Sequence, residues 1–287
     1  MNSWTTLVSP EALAEALGDD RLVVLDARFS LAAPEAGEAA YRRSHIPGAR
    51  YAHLDRDLSG PRAAAGAGRH PWPDEADFIA RLDAWGVTPA HQVVAYDDGD
   101  GAHAARLWFL LQALGHARAA VLDGGWARWS ALGLPVQHDV PAPAPSAYGA
   151  AGFDRQRLLA ADQVQAHLAD GGLLIDARAA ERFRGEVEPI DRKAGHVPGA
   201  VNRPYARNLA EGGAGAFKPA SQLAEEFARL LDGRAPREVA VMCGSGVTAC
   251  HHLLAMAHAG LQGAKLYTGS WSGWIEDPAR AIAVGER

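Results

Sequence analysis

Cysteine is scarce in this chain: 287 residues carry two, Cys243 and Cys250. They lie seven positions apart in a stretch that reads as one helix, so roughly 10 Å of helical rise separates them. A disulfide needs Cα atoms about 4.4–6.8 Å apart, which excludes a bridge or redox couple between the two. Any apolar run approaching the ~20 residues that span a bilayer is also lacking. The start of the chain, MNSWTTLVSPEALAEAL, has neither the basic stretch nor the apolar core of a signal peptide. A cytoplasmic protein without a membrane partner is expected. Basic clusters are missing too: the 28 Lys and Arg are scattered and the net charge is −6, which argues against a nucleic-acid partner.

What the chain has in quantity is apolar residues, 48% of the total, enough with this length for two cores. Its halves repeat one another. Leu22-Val23-Val24-Leu25-Asp26-Ala27-Arg28 matches Leu173-Leu174-Ile175-Asp176-Ala177-Arg178, and His45-Ile46-Pro47-Gly48-Ala49 matches His196-Val197-Pro198-Gly199-Ala200. Val93-Val94-Ala95-Tyr96-Asp97 matches Val239-Ala240-Val241-Met242-Cys243, and Asp123-Gly124-Gly125-Trp126 matches Thr268-Gly269-Ser270-Trp271. The offsets are 150, 151, 146 and 145, the mark of an internal duplication. Each copy alternates short apolar strands with helical stretches (74–85, 102–114, 221–232, 247–260), which predicts α/β domains with mostly parallel sheets and helices on both faces. Residues 133–152, with four prolines and few bulky apolar groups, read as extended chain. The expected domains are 1–135 and 153–287, joined by a linker at 136–152.

The stretch 238–260, EVAVMCGSGVTACHHLLAMAHAG, carries the chemistry. A buried strand, Val239–Met242, ends at Cys243 and passes through Gly244-Ser245-Gly246 into an Ala-rich helix. The glycines let backbone N–H groups turn inward as an anion nest, and the positive end of the helix dipole points to the same place. Both favour a thiolate, the reactive form of cysteine. Cysteine phosphatases need an arginine six residues after the nucleophile to clamp phosphate; here that residue is Ala249, so phosphoryl chemistry is disfavoured. Cys250 reads as a packing residue. His251, His252 and His258 lie on the same helix, with no carboxylate or further cysteine nearby in sequence to complete a metal site. His45, His196, Asp26 and Asp176 recur in both copies, including the one without a cysteine. They read as structural, with Arg28 and Arg178 as partners for the two aspartates.

The loop Cys243-Gly244-Ser245-Gly246-Val247-Thr248 resembles the active-site loop of rhodanese-type sulfurtransferases, most of all their 3-mercaptopyruvate branch. The resemblance covers essentially the whole chain. It implies two tandem rhodanese-like domains, the first inactive because Asp97 stands where the second has Cys243. It further implies that Cys243 accepts sulfur as a persulfide and that Gly244, Gly246, Val247 and Thr248 cradle the substrate. Ser245, His70 and Asp55 would form a catalytic serine–histidine–aspartate set, with Asp57 as a neighbouring competitor of Asp55. Arg182, in Arg182-Phe183-Arg184-Gly185, corresponds to a substrate-binding arginine. The family's second such arginine follows a Glu-Pro pair. Here Glu188-Pro189 is followed by Ile190-Asp191, which leaves Arg192 as the candidate, or Arg182 and the nest alone. The expected donor is 3-mercaptopyruvate, with thiosulfate as alternative. The expected acceptor is cyanide or a thiol, either a small molecule or a thioredoxin-like protein. No metal or organic cofactor is expected, and the chain is expected to be a monomer. From a different class, the chain could be a sulfur carrier without turnover.

Overall fold

The computed structural model describes residues 3–62, 65–149 and 151–286. The chain forms two compact units. The first comprises Met1–Gly60, Pro73–Asp154 and Ala210–Phe217; the second comprises Pro61–Trp72, Arg155–Leu209 and Lys218–Arg287. Residues 61–72, which precede half of the first unit in sequence, therefore fold with the second.

Each unit holds a five-stranded, wholly parallel sheet. In the first, β1 (Leu7–Val8), β2 (Leu22–Asp26), β3 (Arg50–Tyr51), β4 (Gln92–Tyr96) and β5 (Ala119–Leu122) are arranged in the order β1-β5-β4-β2-β3. In the second, β6 (Leu158–Leu159), β7 (Leu173–Asp176), β8 (Val201–Asn202), β9 (Val239–Met242) and β10 (Lys265–Tyr267) follow the same plan, β6-β10-β9-β7-β8. Every residue of β4 and β9 is buried, as parallel sheets covered on both faces require. Apolar, β-branched stretches such as Val93-Val94 and Val239-Ala240-Val241 suit that setting.

Helices fall where the apolar periodicity places them: Glu75–Ala84, Ala102–Ala113, Ala220–Leu231 and Thr248–His258. The first starts at Asp74, whose carboxylate accepts the Ala76 N–H at 2.8 Å as an N-cap. No helix among the described residues is long and apolar enough to cross a membrane. After the helix Gly125–Ala131, residues 134–149 carry neither helix nor strand. They are tied to the first unit by Ser146 N–H to Asp83 O (2.9 Å) and by a 2.9 Å bond between the Tyr148 hydroxyl and His116 Nδ1.

The duplicated polar residues are structural. Arg28 forks onto Asp26 (2.6 Å) and Arg178 onto Asp176 (2.7 Å), all four buried. Each guanidinium also stacks on a tryptophan, Trp126 at 4.6 Å and Trp271 at 4.7 Å. A buried ion pair survives only when its remaining donors find acceptors. Arg28 meets this by donating to Ser44 O and Arg178 by donating to Gly195 O, both at 2.7 Å. His45 and His196 sit on aromatic rings, Tyr41 and Phe183, with Nδ1 2.8 Å from the carbonyl of the same residue.

In such sheets ligands gather beyond strand C-termini, where neighbouring connections leave in opposite directions. In the second unit that point lies between β7, which leads to β8 on one side, and β9, which leads to β10 on the other. Cys243 follows β9, and the segment with Arg178 and Arg182 follows β7.

Candidate active site

The turn from β9 into Thr248–His258 is tight because Gly246 takes φ +79°, a left-handed conformation natural to glycine. That turn brings the Gly246 N–H to 3.2 Å from the Cys243 Sγ. Cys243 is buried, and its own N–H donates to the Ser270 hydroxyl at 3.1 Å. Ser270 in turn donates to Tyr267 O at 3.0 Å, at the end of β10. It does so from φ +50°, where a non-glycine residue is strained. Two more bonds strap the loop to the same segment: Trp271 N–H to Cys243 O (3.0 Å) and Ser272 N–H to Gly244 O (2.9 Å). Val247 is buried at the helix N-cap, and Thr248 opens the helix.

Residues 61–72 bring two side chains to this loop. His70 is buried, and its Nδ1 lies 2.7 Å from Ser245 Oγ. Arg69 places Nη2 3.3 Å from where a Cβ on Gly244 would stand, and both Arg182 Nη atoms lie 3.7 Å from the same point. A side chain at residue 244 would therefore push against the Arg69 guanidinium. Arg69 is anchored by Asp191, and its backbone N–H donates to Ser272 Oγ at 3.0 Å.

Arg182 forks onto Glu188 (2.8 and 3.0 Å) and reaches Asp191 at 3.2 Å. Burial pushes the Glu188 carboxyl up, but the Arg182 fork and the Asp191 and Ile190 N–H groups outweigh it, leaving Glu188 below the usual carboxylate range and charged. Three guanidiniums here, Arg69, Arg178 and Arg182, meet three carboxylates, Asp176, Glu188 and Asp191. The cluster thus fixes its guanidiniums in place without a large net charge.

The other residues singled out by sequence have these surroundings. Arg192 donates to Ile275 O at 2.8 Å. Asp55 belongs to the first unit, on the short helix Leu54–Asp57, where its N–H donates to His53 Nδ1 at 3.1 Å. Asp57 caps the same turn through the His53 N–H (2.8 Å) and pairs with Arg81 at 3.3 Å. Cys250 is buried, with Sγ 3.3 Å from Gly246 O. His251 and His252 face a buried polar cluster: each Nδ1 meets the Asn208 amide, at 2.9 and 2.8 Å. Burial together with the nearby Arg203 charge pushes the His252 pKa well down, keeping it neutral. No group of three or more His, Cys, Asp or Glu among the described residues is placed to hold a metal.

Arg69 is the residue that sequence reasoning missed. Its one signal was adjacency to His70 in Gly68-Arg69-His70-Pro71. In the first copy the cradle is filled differently. The Asp97 carboxyl accepts the N–H groups of Gly99 (3.1 Å), Gly101 (3.0 Å), His103 (2.9 Å) and Ala104 (3.2 Å).

The rhodanese-like domain matches the chain twice, over residues 9–132 and 160–277. A probable 3-mercaptopyruvate sulfurtransferase of Pseudomonas aeruginosa is 47% identical over 99% of this chain and 100% of its own. A putative thiosulfate sulfurtransferase, SseB of Mycobacterium tuberculosis, is 40% identical over 93% of this chain and 92% of its own. Among solved structures, the 3-mercaptopyruvate sulfotransferase SseA of Escherichia coli superposes with a TM-score of 0.80 at 29% identity, covering 94% of this chain and 100% of that one. With the duplicated sheet, the buried cysteine at the switch point and these likenesses together, the chain belongs to the rhodanese-like family, as two tandem domains.

Proposed function

We propose that the chain is a sulfurtransferase that takes sulfur from 3-mercaptopyruvate through a persulfide on Cys243 and passes it to a thiol or cyanide. The observation that carries this reading is the set gathered on one loop: Cys243 with the Gly246 N–H on its sulfur, Ser245 joined to His70, and two guanidiniums over Gly244. Arg182 and Arg69 hold the donor carboxylate by planar forks. The Cys243 thiolate attacks the donor sulfur, the C–S bond breaks, and its electron pair passes to carbon as the enolate of pyruvate. Ser245 and His70 deliver the proton that converts the enolate to pyruvate. From the resemblance alone, Asp55 keeps the role of the carboxylate of this set. The persulfide stays in the nest of residues 243–248 until a thiol or cyanide attacks its outer sulfur.

The near balance of three guanidiniums against three carboxylates favours a monoanionic donor over the thiosulfate dianion. Mercaptopyruvate incubated with the full chain should add one sulfur to Cys243 by mass and release one equivalent of pyruvate, with turnover once a thiol is added. A higher kcat/KM with thiosulfate would replace the donor assignment. Sulfur loading without turnover would make the protein a carrier.

A further inference from the structure

The first unit contains a cavity of 380 Å³ beside its edge strand β3. Its lining combines aromatic rings with four arginines and two carboxylates, Glu38 and Asp57. Of the four arginines, Arg42 and Arg56 are both taken by Glu38, and Arg81 by Asp57. Arg50, on β3 itself, has no acidic partner among the described residues, and its Nε and Nη1 are enclosed by protein without an acceptor. Burial lowers the pKa of this guanidinium, the sign of a cation held at a cost. With two of its three nitrogens enclosed, the cavity is where its charge can be met.

The aromatic residues have spent their polar tips inside the protein. The Tyr41 hydroxyl donates to Ala49 O (2.9 Å), the Tyr51 hydroxyl to Arg28 O (2.9 Å) and the Trp85 indole to Tyr51 O (3.1 Å). They leave apolar ring surface, continued on the far side by Val140 and Pro141.

A cavity at this place is a property of the fold, because the second copy has one too, of 530 Å³ beside β8. The position equivalent to Arg50 is Val201 there, since both follow the matched Pro-Gly-Ala and pair with the matched strand (Leu25↔Arg50, Ile175↔Val201). The second cavity has one lining arginine, Arg184, already paired with Glu186, and the acidic Glu286. Repetition of the fold thus explains the space but not the unmatched cation of the first unit.

We propose that the cavity beside β3 is a binding site for a small aromatic carboxylate, its anionic end on Arg50 and its flat body against Tyr51, Trp85 and Val140. Its lining residues all belong to the first unit, whereas the Cys243 site is built from residues of the second. The size suits a molecule of one or two rings, and a charge-assisted bond to an otherwise unmatched guanidinium supplies the selectivity for an anion.

Calorimetric titration of the full chain with benzoate, benzamide and inorganic phosphate tests this. Benzoate should bind saturably in the millimolar range or tighter, and more tightly than either of the others. Arg50→Met should weaken benzoate by about 10- to 100-fold, the worth of a charge-assisted hydrogen bond, and leave sulfur transfer within about two-fold. Val140→Asp, at an exposed wall position, should weaken it also by repulsion, without touching Arg50. Arg182→Met should leave benzoate binding intact. The proposal is overturned if benzoate does not bind, if benzamide or phosphate binds as well, if Arg50→Met or Val140→Asp binds like the parent, or if binding is lost with Arg182→Met.

Discussion

Asp97 and Cys243 stand at the same place in two copies of one fold, and the loops around them differ in what they do with their N–H groups. In the first unit the Asp97 carboxyl takes four of them, so the cradle is filled by a side chain of the protein itself. In the second, a sulfur accepts the Gly246 N–H, and small residues keep the loop open to Arg69 and Arg182. The strap beneath is shared. Trp126 N–H reaches Asp97 O at 2.8 Å as Trp271 N–H reaches Cys243 O at 3.0 Å. Gly125 and Ser270 both hold φ +50°. Only serine adds a hydroxyl there, and that hydroxyl receives the Cys243 N–H. In the first copy a Cβ at Gly125 would stand 2.7 Å from Asp97 O, too close to fit. One scaffold therefore holds a carboxyl with four N–H donors in one copy and a cysteine sulfur with one N–H donor in the other.

The sharpest break of this comparison is to exchange what each loop can lose. Cys243→Ser should abolish sulfur transfer with little change in Tm. Asp97→Ala should leave transfer nearly intact but cost about 2–4 kcal/mol, because several buried N–H groups lose their acceptor. Steady-state rates and thermal melts of both variants check the pair.

Next in size, His70→Ala should lower kcat for pyruvate release by about 100- to 10,000-fold, the usual worth of a positioned acid–base group. Alkylation of Cys243 by iodoacetamide should proceed in the same variant. A rate within a few-fold of the parent would leave the Ser245–His70 contact a merely structural one.

Smaller again is the effect on binding. Arg69→Lys and Arg182→Lys should each raise KM for mercaptopyruvate by about ten-fold, because a point charge cannot reproduce a fork. The change should fall on KM more than on kcat.

The smallest expected effect concerns the strap. Ser270→Gly keeps the left-handed backbone and removes two hydrogen bonds, from the Cys243 N–H and to Tyr267 O, so a loss of about 1–3 kcal/mol in stability is expected. A few-fold drop in kcat should accompany it. If Ser270→Ala and Ser270→Gly are alike in both measures, the hydroxyl and not the backbone conformation sets the loop.

The repeat, the strand–cysteine–helix order and the pairing of Asp26 with Arg28 and Asp176 with Arg178 were legible because they depend on local pattern. Apolar runs of four or five residues predict β4 and β9, and both are there. Arg69 was not legible in the same way. What makes it matter is that residues 61–72 fold with a unit whose loop lies 175 positions further on, and no periodicity reports contacts at that separation. The roles of His251 and His252 were hidden for the same reason: their partner, Asn208, is 43 and 44 residues away. Arg192 was singled out only by its proximity in sequence to a family pattern. The side chain is engaged with Ile275 O.

The assignment of residues 61–72 to the second unit, and of 210–217 to the first, has a consequence for how such a gene can change. A duplication first yields two copies that are interchangeable and separately dispensable. Once each copy has lent a segment to the fold of the other, neither can be deleted, shuffled into a new gene or inherited alone without taking part of the remaining one with it. The half with Asp97 at the cysteine position then remains under selection together with the half that carries Cys243.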